Sequence, residues 1–329
     1  MDTVLSGIRS TGHLHLGNYF GALRNFVRIQ EQYRCFFFIA DLHSLTTHPH
    51  PSDFHASVKT ILAEYLASGL DPEKSAIYIQ SDVPEISELY VLLNMLAYVG
   101  ELERTVTFKE KVRQNPDNVN AGLLTYPVLM ASDILIHRAQ WVPVGKDQEQ
   151  HLELARVYAR RFNNMYGEEI FPEPRNLVFT GSAVKVPGLD GSGKMGKSNG
   201  NGIYLYDDEK TITKKVMKAV TDSGPVEPNS PMPEVIENLF TLLKLVSDQS
   251  TVDYFTEKWN DCSIRYGDLK KQLAADICKT TLPIKEKIDA IYNDDAYLSK
   301  VVASGRERAR ASASATLSLV KKAVGFKAF

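Results

Sequence analysis

The strongest limit on how this chain folds is an unbroken apolar run, Cys35-Phe36-Phe37-Phe38-Ile39-Ala40. A strand with one wet face alternates apolar and polar residues, so a run without alternation reads as a strand covered on both faces. A shorter apolar run begins at Thr3, and a glycine-bearing turn separates it from an amphipathic stretch. There Tyr19, Leu23, Phe26 and Gln30 recur at helical spacing, with Phe20 and Val27 beside them. Strand, helix, strand in that order is the parallel βαβ unit, because parallel neighbours need a crossover long enough to hold a helix. The expected fold class is α/β: a Rossmann-like parallel sheet followed by a mostly helical C-terminal domain.

The alternation continues with a helix expected over 53–68, a strand over 76–80 and a helix entered through Pro84, a favoured first-turn residue. Residues 141–144 and 176–180 read as further strands, with a helix between them that ends near Met165. In open parallel sheets ligands sit beyond the carboxyl ends of the strands, where strand order reverses. Residues 7–11, 41–43, Gln80 and 145–148 would gather there. Strand patterns fade after about Tyr204, and 234–245, 268–279 and 283–292 read as helices. The expected organisation is a Rossmann-like domain over 1–187 with a helical insertion around 84–140, a mobile loop over 188–202, and a helical domain over 203–329. Its last helix would be able to pack back on the first domain.

Composition excludes several classes. A length of 329 residues allows two domains, and 43% hydrophobic with 24% charged residues is ordinary globular usage rather than disorder, collagen or membrane protein. The net charge of −2 means that a nucleic-acid partner must be met by a local basic patch. Cys35, Cys262 and Cys278 form neither a disulfide framework nor a metal clamp, which suits a reducing compartment. The N-terminus lacks a basic leader region, and the apolar run 35–40 is too short to cross a bilayer. A cytoplasmic protein without export or membrane anchor is expected.

Thr11-Gly12-His13-Leu14-His15-Leu16-Gly17-Asn18 lies between the first strand and first helix, where free N–H groups and the helix dipole favour a phosphate-bearing ligand. Gly17 would let a nucleotide approach the backbone, while His15 and Asn18 can donate to phosphate oxygens as charge grows on them. A second phosphate-seeking stretch lies in the segment 188–202, six of whose fifteen residues are glycine. It contains Gly191-Ser192-Gly193-Lys194-Met195-Gly196-Lys197-Ser198, which satisfies the P-loop expression. A P-loop must open a helix, yet Asn199-Gly200-Asn201-Gly202 and an apolar run follow, so a hinged loop swinging Lys194 and Lys197 onto a triphosphate is the better reading.

His15-Leu16-Gly17-Asn18 with Lys194-Met195-Gly196-Lys197-Ser198 resembles the HIGH and KMSKS signatures of class I aminoacyl-tRNA synthetases. Gly100-Glu101-Leu102-Glu103-Arg104, Phe108-Lys109-Glu110-Lys111, Tyr126-Pro127, Gly145-Lys146-Asp147-Gln148 and Val220-Thr221-Asp222-Ser223 resemble the bacterial tryptophanyl-tRNA synthetase family. The resemblance implies activation of L-tryptophan with Mg-ATP, transfer to the 3′ end of tRNA(Trp), a homodimer, and an anticodon-binding role for the helical domain. It implies that His15, Lys194 and Lys197 serve catalysis. Arg9, Ser10, Thr11, Gly17, Asn18, Gly145, Lys146, Asp147, Val186, Met195, Gly196 and Ser198 would line the ATP site, with Lys111, Lys194 and Lys197 facing the phosphates. Surface pairing of Lys111 with Glu110 or Glu101 is the competing reading. Three positions depart from the family pattern: Gly196 for the usual serine, Leu5 where Phe often flanks the indole, and Arg9 where Gln is frequent.

Tyr126, Met130 and Asp133 fall on one helix face, and the neighbours of Asp133 from 127 to 136 are apolar or small. An ionised carboxylate there needs a donor, either an indole N–H or a group elsewhere in the protein. If the indole supplies it, phenylalanine would be rejected by roughly 10⁴ to 10⁵. Met130 would pack on the ring, Tyr126 and Gln148 would hold the α-amino group, and His43, Leu5 and Gly7 would complete the tryptophan site. Six basic residues between 306 and 327 against Glu307 alone read equally as a tRNA phosphate track or a solvated helix end. The alternatives to tryptophan activation are a tyrosyl or other HIGH-type nucleotidyltransferase and a non-catalytic RNA-binding paralogue.

Overall fold

The computed structural model describes residues 1–179, 185–191 and 193–327. Thr3–Arg9 (β1), Arg34–Ala40 (β2), Ser75–Ile79 (β3), Trp141–Val142 (β4) and Arg175–Asn176 (β5) form one sheet in the order β3-β2-β1-β4-β5. Every neighbouring pair is parallel. The chain moves outward from β1 to β3 and then returns to lay β4 on the other side of β1, so strand order reverses between β1 and β4.

β2 is the partition of the molecule. Cys35, Phe37 and Ile39 point into one core, with Phe26 and the apolar faces of helices Pro51–Ala67, Glu234–Val246 and Tyr266–Tyr292. Phe36, Phe38 and Ala40 point into the other, with Leu89, Leu135, Tyr158 and Leu317. This second core is built by the insertion helices Pro84–Asn94 and Tyr126–Ile136, by Glu149–Tyr166, and by the last helix, Asp295–Val324. A strand whose consecutive side chains enter two dry layers has no use for polar alternation.

The last helix lies directly on the edge strand β3. A Cβ at Gly305 would stand 1.7 Å from the Ile77 carbonyl oxygen, so only glycine permits this approach. Three residues on, the Arg308 guanidinium donates to the carbonyls of Pro72, Glu73 and Ser75 at the entrance to β3.

Three expected elements differ. The helices expected over 268–279 and 283–292 are one helix, Tyr266–Tyr292, with Pro283 inside it. An interior proline costs about 3 kcal/mol, but burying Ile284 and Ile288 beyond it returns about 1.5–3 kcal/mol each, continuing the buried stripe of Leu269, Leu273, Ile277 and Thr281. β4 stops at Val142 because Pro143 has no N–H to donate. The strand expected over 176–180 begins and ends as β5, although the Leu177 N–H still reaches Val142 O at 3.2 Å, and Thr180 lies outside the described residues. Among the described residues no helix is long and apolar enough to cross a membrane.

Candidate active site

Beyond the carboxyl end of β1 the chain turns at Gly12 (φ +84°) and enters the helix Leu16–Asn18 through His15. Residues 14–16 run antiparallel to 203–205: Leu205 N–H donates to Leu14 O at 2.8 Å, Leu16 N–H donates to Ile203 O at 2.9 Å, and His15 bridges Tyr204. Two stretches nearly two hundred residues apart are thus clasped by backbone. Lys197 extends the contact, donating from Nζ to Gly12 O at 2.6 Å and Thr11 O at 3.3 Å.

The protonation of His15 follows from this geometry. Asn18 N–H donates to Nδ1 at 3.2 Å, and Asn18 Oδ1 accepts the His15 N–H at 3.1 Å. Nδ1 is therefore an acceptor and the single ring proton sits on Nε2. Burial first, then the charges of Lys197 and Lys194, pull the imidazole pKa down to about 4, so at neutral pH it is an uncharged N–H donor. Asn18 keeps its amide N–H groups for other partners. Gly17 also has a reason within the protein: a Cβ there would meet the His15 ring at 2.8 Å. Beneath the loop, fully buried Glu64 accepts the Leu14 N–H at 2.9 Å.

In the second loop the residues Lys197–Asn199 form a single 3₁₀ turn, closed by Gly200 (φ +62°), so the helix a P-loop requires is absent. The Ser198 side chain and Ser192 lie outside the described residues. Asn201 organises the turn, donating to Asp190 Oδ1 at 3.0 Å and Lys194 O at 3.2 Å and accepting the Gly196 N–H at 2.9 Å. Met195 is buried against Gly202 and gives its N–H to Val186 O at 2.8 Å. It thus serves as an anchor, and that bond occupies one lone pair of the carbonyl of Val186, a residue expected to line the ATP site. Gly196 is extended (φ −152°), and a Cβ added there would find no atom nearer than 3.6 Å, so a serine would fit here. Exposed Lys194 reaches to 3.8 Å from Asp147, which ties this loop to the segment after β4.

That segment starts at Gly145, where a Cβ would crowd Asp147 Oδ1 at 2.8 Å, and Lys146 beside it is exposed. Gln148 donates to Asp147 Oδ2 at 3.1 Å. A cavity of about 280 Å³ opens next to it, lined by Arg9, Lys111, Tyr126, Gln148, Phe108 and His151 among others. Arg9 presents buried Nε and Nη2 atoms that have no partner among the described residues. Lys111 bonds Gln114 at 3.2 Å rather than either glutamate, because Glu101 is held by Arg161 at 2.6 Å. Ser10 is turned away, bonded to Ser44 at 3.1 Å.

Asp133 is fully buried on the helix Tyr126–Ile136 and does have protein donors. Gln80 Nε2 reaches its two oxygens at 2.8 and 3.0 Å, and His43 Nε2 donates to Oδ2 at 2.9 Å. Burial pushes its pKa up while His43 and Gln80 hold it down. The Tyr126 ring lies 4.3 Å from His43. Leu5 is buried in the core against which partly buried Met130 packs, and Gly7, exposed in a central strand, is needed because a Cβ would meet the Phe38 ring at 2.7 Å.

Sequence reading missed Glu64, Asn201 and His151. His151 bonds Thr107 Oγ1 at 2.9 Å, and burial lowers its pKa to about 4. No local pattern marks such residues, whose importance comes from contacts 44 or more positions away for His151 and Glu64. The basic C-terminal stretch is half spent on structure: beside Arg308, Arg310 pairs with Glu85 at 3.0 Å and Lys321 with Glu88 at 2.6 Å.

A parallel sheet with two phosphate-seeking loops clasped across its switch point defines a nucleotide-binding enzyme of the class I synthetase type. Residues 2–281 match the family described as tRNA synthetases class I (W and Y), and the chain belongs to that family, on its bacterial tryptophan branch. The tryptophan–tRNA ligase of Porphyromonas gingivalis is 64% identical over 327 residues, covering 99% of this chain and 100% of that one. That of Rickettsia bellii is 42% identical, with 98% of each chain covered. The tryptophanyl-tRNA synthetase of Campylobacter jejuni complexed with ADP and tryptophan superposes with a TM-score of 0.88 at 35% identity, over 98% of this chain and 100% of that chain.

Proposed function

We infer that the enzyme activates L-tryptophan with ATP, releasing pyrophosphate, and transfers tryptophan from the adenylate to the 3′ end of tRNA(Trp). The observation that carries this reading is the clasp that sets Lys197 on Gly12 and Thr11 within the field of His15. Exchange of labelled pyrophosphate into ATP, run with each amino acid, tests it. Tryptophan is expected to drive exchange, and exchange with tyrosine instead would overturn the substrate assignment.

The tryptophan carboxylate attacks the α-phosphorus and pyrophosphate leaves, so no side chain becomes a nucleophile. The protein contributes position and charge. His15 offers the Nε2 proton to a phosphate oxygen without bringing a net charge. Lys197 rests on neutral carbonyls, and burial draws its pKa down to about 8 against the pull of Glu64, so the added negative charge of a triphosphate favours the ammonium. Lys194 on the second loop and Lys111 on the helix Val106–Gln114 would add further positive charge. Magnesium arrives on ATP as part of the substrate. The unpartnered atoms of Arg9 suit an anionic group at the reacting centre.

A carboxylate has about four lone-pair sites, so Gln80 and His43 leave room on Asp133 for an indole N–H. Replacing Asp133 by alanine should raise the tryptophan KM by about 10-fold or more, with the ATP KM within about 3-fold. Steady-state exchange kinetics check this, and an unchanged tryptophan KM would take Asp133 out of the pocket. The exposed run of Val91, Met95, Tyr98 and Val99, each 53–76% accessible, supports a homodimer. The cytoplasm, where charged tRNA is used, is the proposed location.

A further inference from the structure

His13 is absent from the cavity wall, yet its side chain is held on both sides. Its Nδ1–H lies 2.8 Å from Glu64 Oε1. Its imidazole lies flat on Tyr206, with ring centroids 4.7 Å apart and planes within 3° of parallel. The Tyr206 hydroxyl donates to Asp289 Oδ1 at 2.7 Å, Asp289 Oδ2 pairs with Lys285 at 2.8 Å, and Lys285 Nζ sits 4.3 Å over the Tyr206 ring. Asp289 and Lys285 belong to the helix Tyr266–Tyr292, which packs in the same core as one face of β2.

The backbone clasp of 14–16 on 203–205 is two hydrogen bonds wide. Immediately before His13 stand Thr11 and Gly12, whose carbonyls hold Lys197, and Gly12 (φ +84°) has no atom within 4 Å of where a Cβ would stand. Where those carbonyls lie is therefore set by what holds residue 13. Glu64 anchors it from the helix Pro51–Ala67, and Tyr206 links it to the helix Tyr266–Tyr292.

We propose that His13 and Tyr206 are a stacked positioning pair that fixes the nucleotide loop, and with it the Lys197 anchor, to the helix Tyr266–Tyr292. Neither ring touches substrate. The proposal rests on the tryptophan-activation reading, and the test separates the two. Tyr206→Leu removes the stack from one side. His13→Asn removes it from the other while keeping a donor close to the Nδ1 position for Glu64. Exchange rates are taken per active site, counted from the burst of adenylate formation, so a fraction of misfolded protein does not enter them. Each variant is expected to lower kcat by about 10-fold or more with KM values for ATP and tryptophan within about 3-fold. The double variant should be no slower than the slower single one, because both remove the same interaction. Tyr206→Phe, which keeps the stack and Lys285 over the ring but loses the bond to Asp289, should fall between Tyr206→Leu and the wild type. Single variants with wild-type kcat per active site, or losses that multiply in the double variant, would overturn the proposal while wild-type exchange with tryptophan leaves the activation reading intact. Absence of wild-type exchange would remove both.

Discussion

Replacing Lys197 by alanine is expected to slow adenylate formation by about 10²–10³-fold while ATP affinity changes by less than about 5-fold. In the unliganded protein the ammonium already has Gly12 O at 2.6 Å, so leaving it for a ground-state phosphate gains little. Charge that develops on the leaving pyrophosphate gains more, because only the ammonium can match it. Single-turnover rates set against equilibrium ATP binding check this, and equal losses in both would contradict it. The lowered pKa adds a signed expectation. In the free enzyme Lys197 titrates near 8, and the triphosphate needs its charged form. The kcat/KM for ATP should therefore be full below about 8 and fall as pH rises through it. The sign for stability is opposite. Between about 8 and the unfolded value of 10.5 the folded chain has lost a proton that the unfolded chain keeps, so unliganded stability gains from this group as pH rises across that window.

Gly305→Ala is expected to destabilise the fold by about 3 kcal/mol or more, against the local preference of the helix. In the interior of a helix alanine is favoured over glycine by about 1 kcal/mol, and residue 305 is interior to the thirty-residue helix Asp295–Val324. The added methyl would stand 1.7 Å from Ile77 O, a backbone atom of β3 held in the sheet. The helix must back away by more than an ångström. In doing so it stretches the Arg308 bonds to Glu73 O and Ser75 O and the Arg310–Glu85 pair. Denaturant unfolding measures the sign directly, and an alanine variant more stable than the wild type would mean that the last helix does not rest on β3.

Much of the architecture was legible because it repeats locally. The apolar run of β2, the helical spacing from Tyr19 to Gln30 and Pro84 at a helix start are statements about neighbours in sequence, and each appears in the structure. Pro283 misled for the complementary reason, since its local cost is outweighed by apolar side chains that meet only in the folded core. The site divides the same way. Residues named by their chemistry, His15, Lys197 and Asp133, stand at the switch point or beside it. Packing reasons for glycines were not legible: a Cβ would meet His15 at Gly17, Phe38 at Gly7 and, at 2.1 Å, the Asn201 amide at Gly188. Whether Asp133 needs a ligand could not be decided from its apolar neighbours, because its donors Gln80 and His43 come from the ends of other strands.

The claim on which the mechanism stands is that one triphosphate is held between the loop after β1 and the loop of Lys197. A crystal structure of the enzyme with tryptophan and a non-hydrolysable ATP analogue tests it most directly. The account predicts phosphate oxygens within hydrogen-bonding distance of both His15 Nε2 and Lys197 Nζ, with Lys197 released from Gly12 O. A triphosphate bound elsewhere, with Lys197 still seated on Gly12 O, would contradict it.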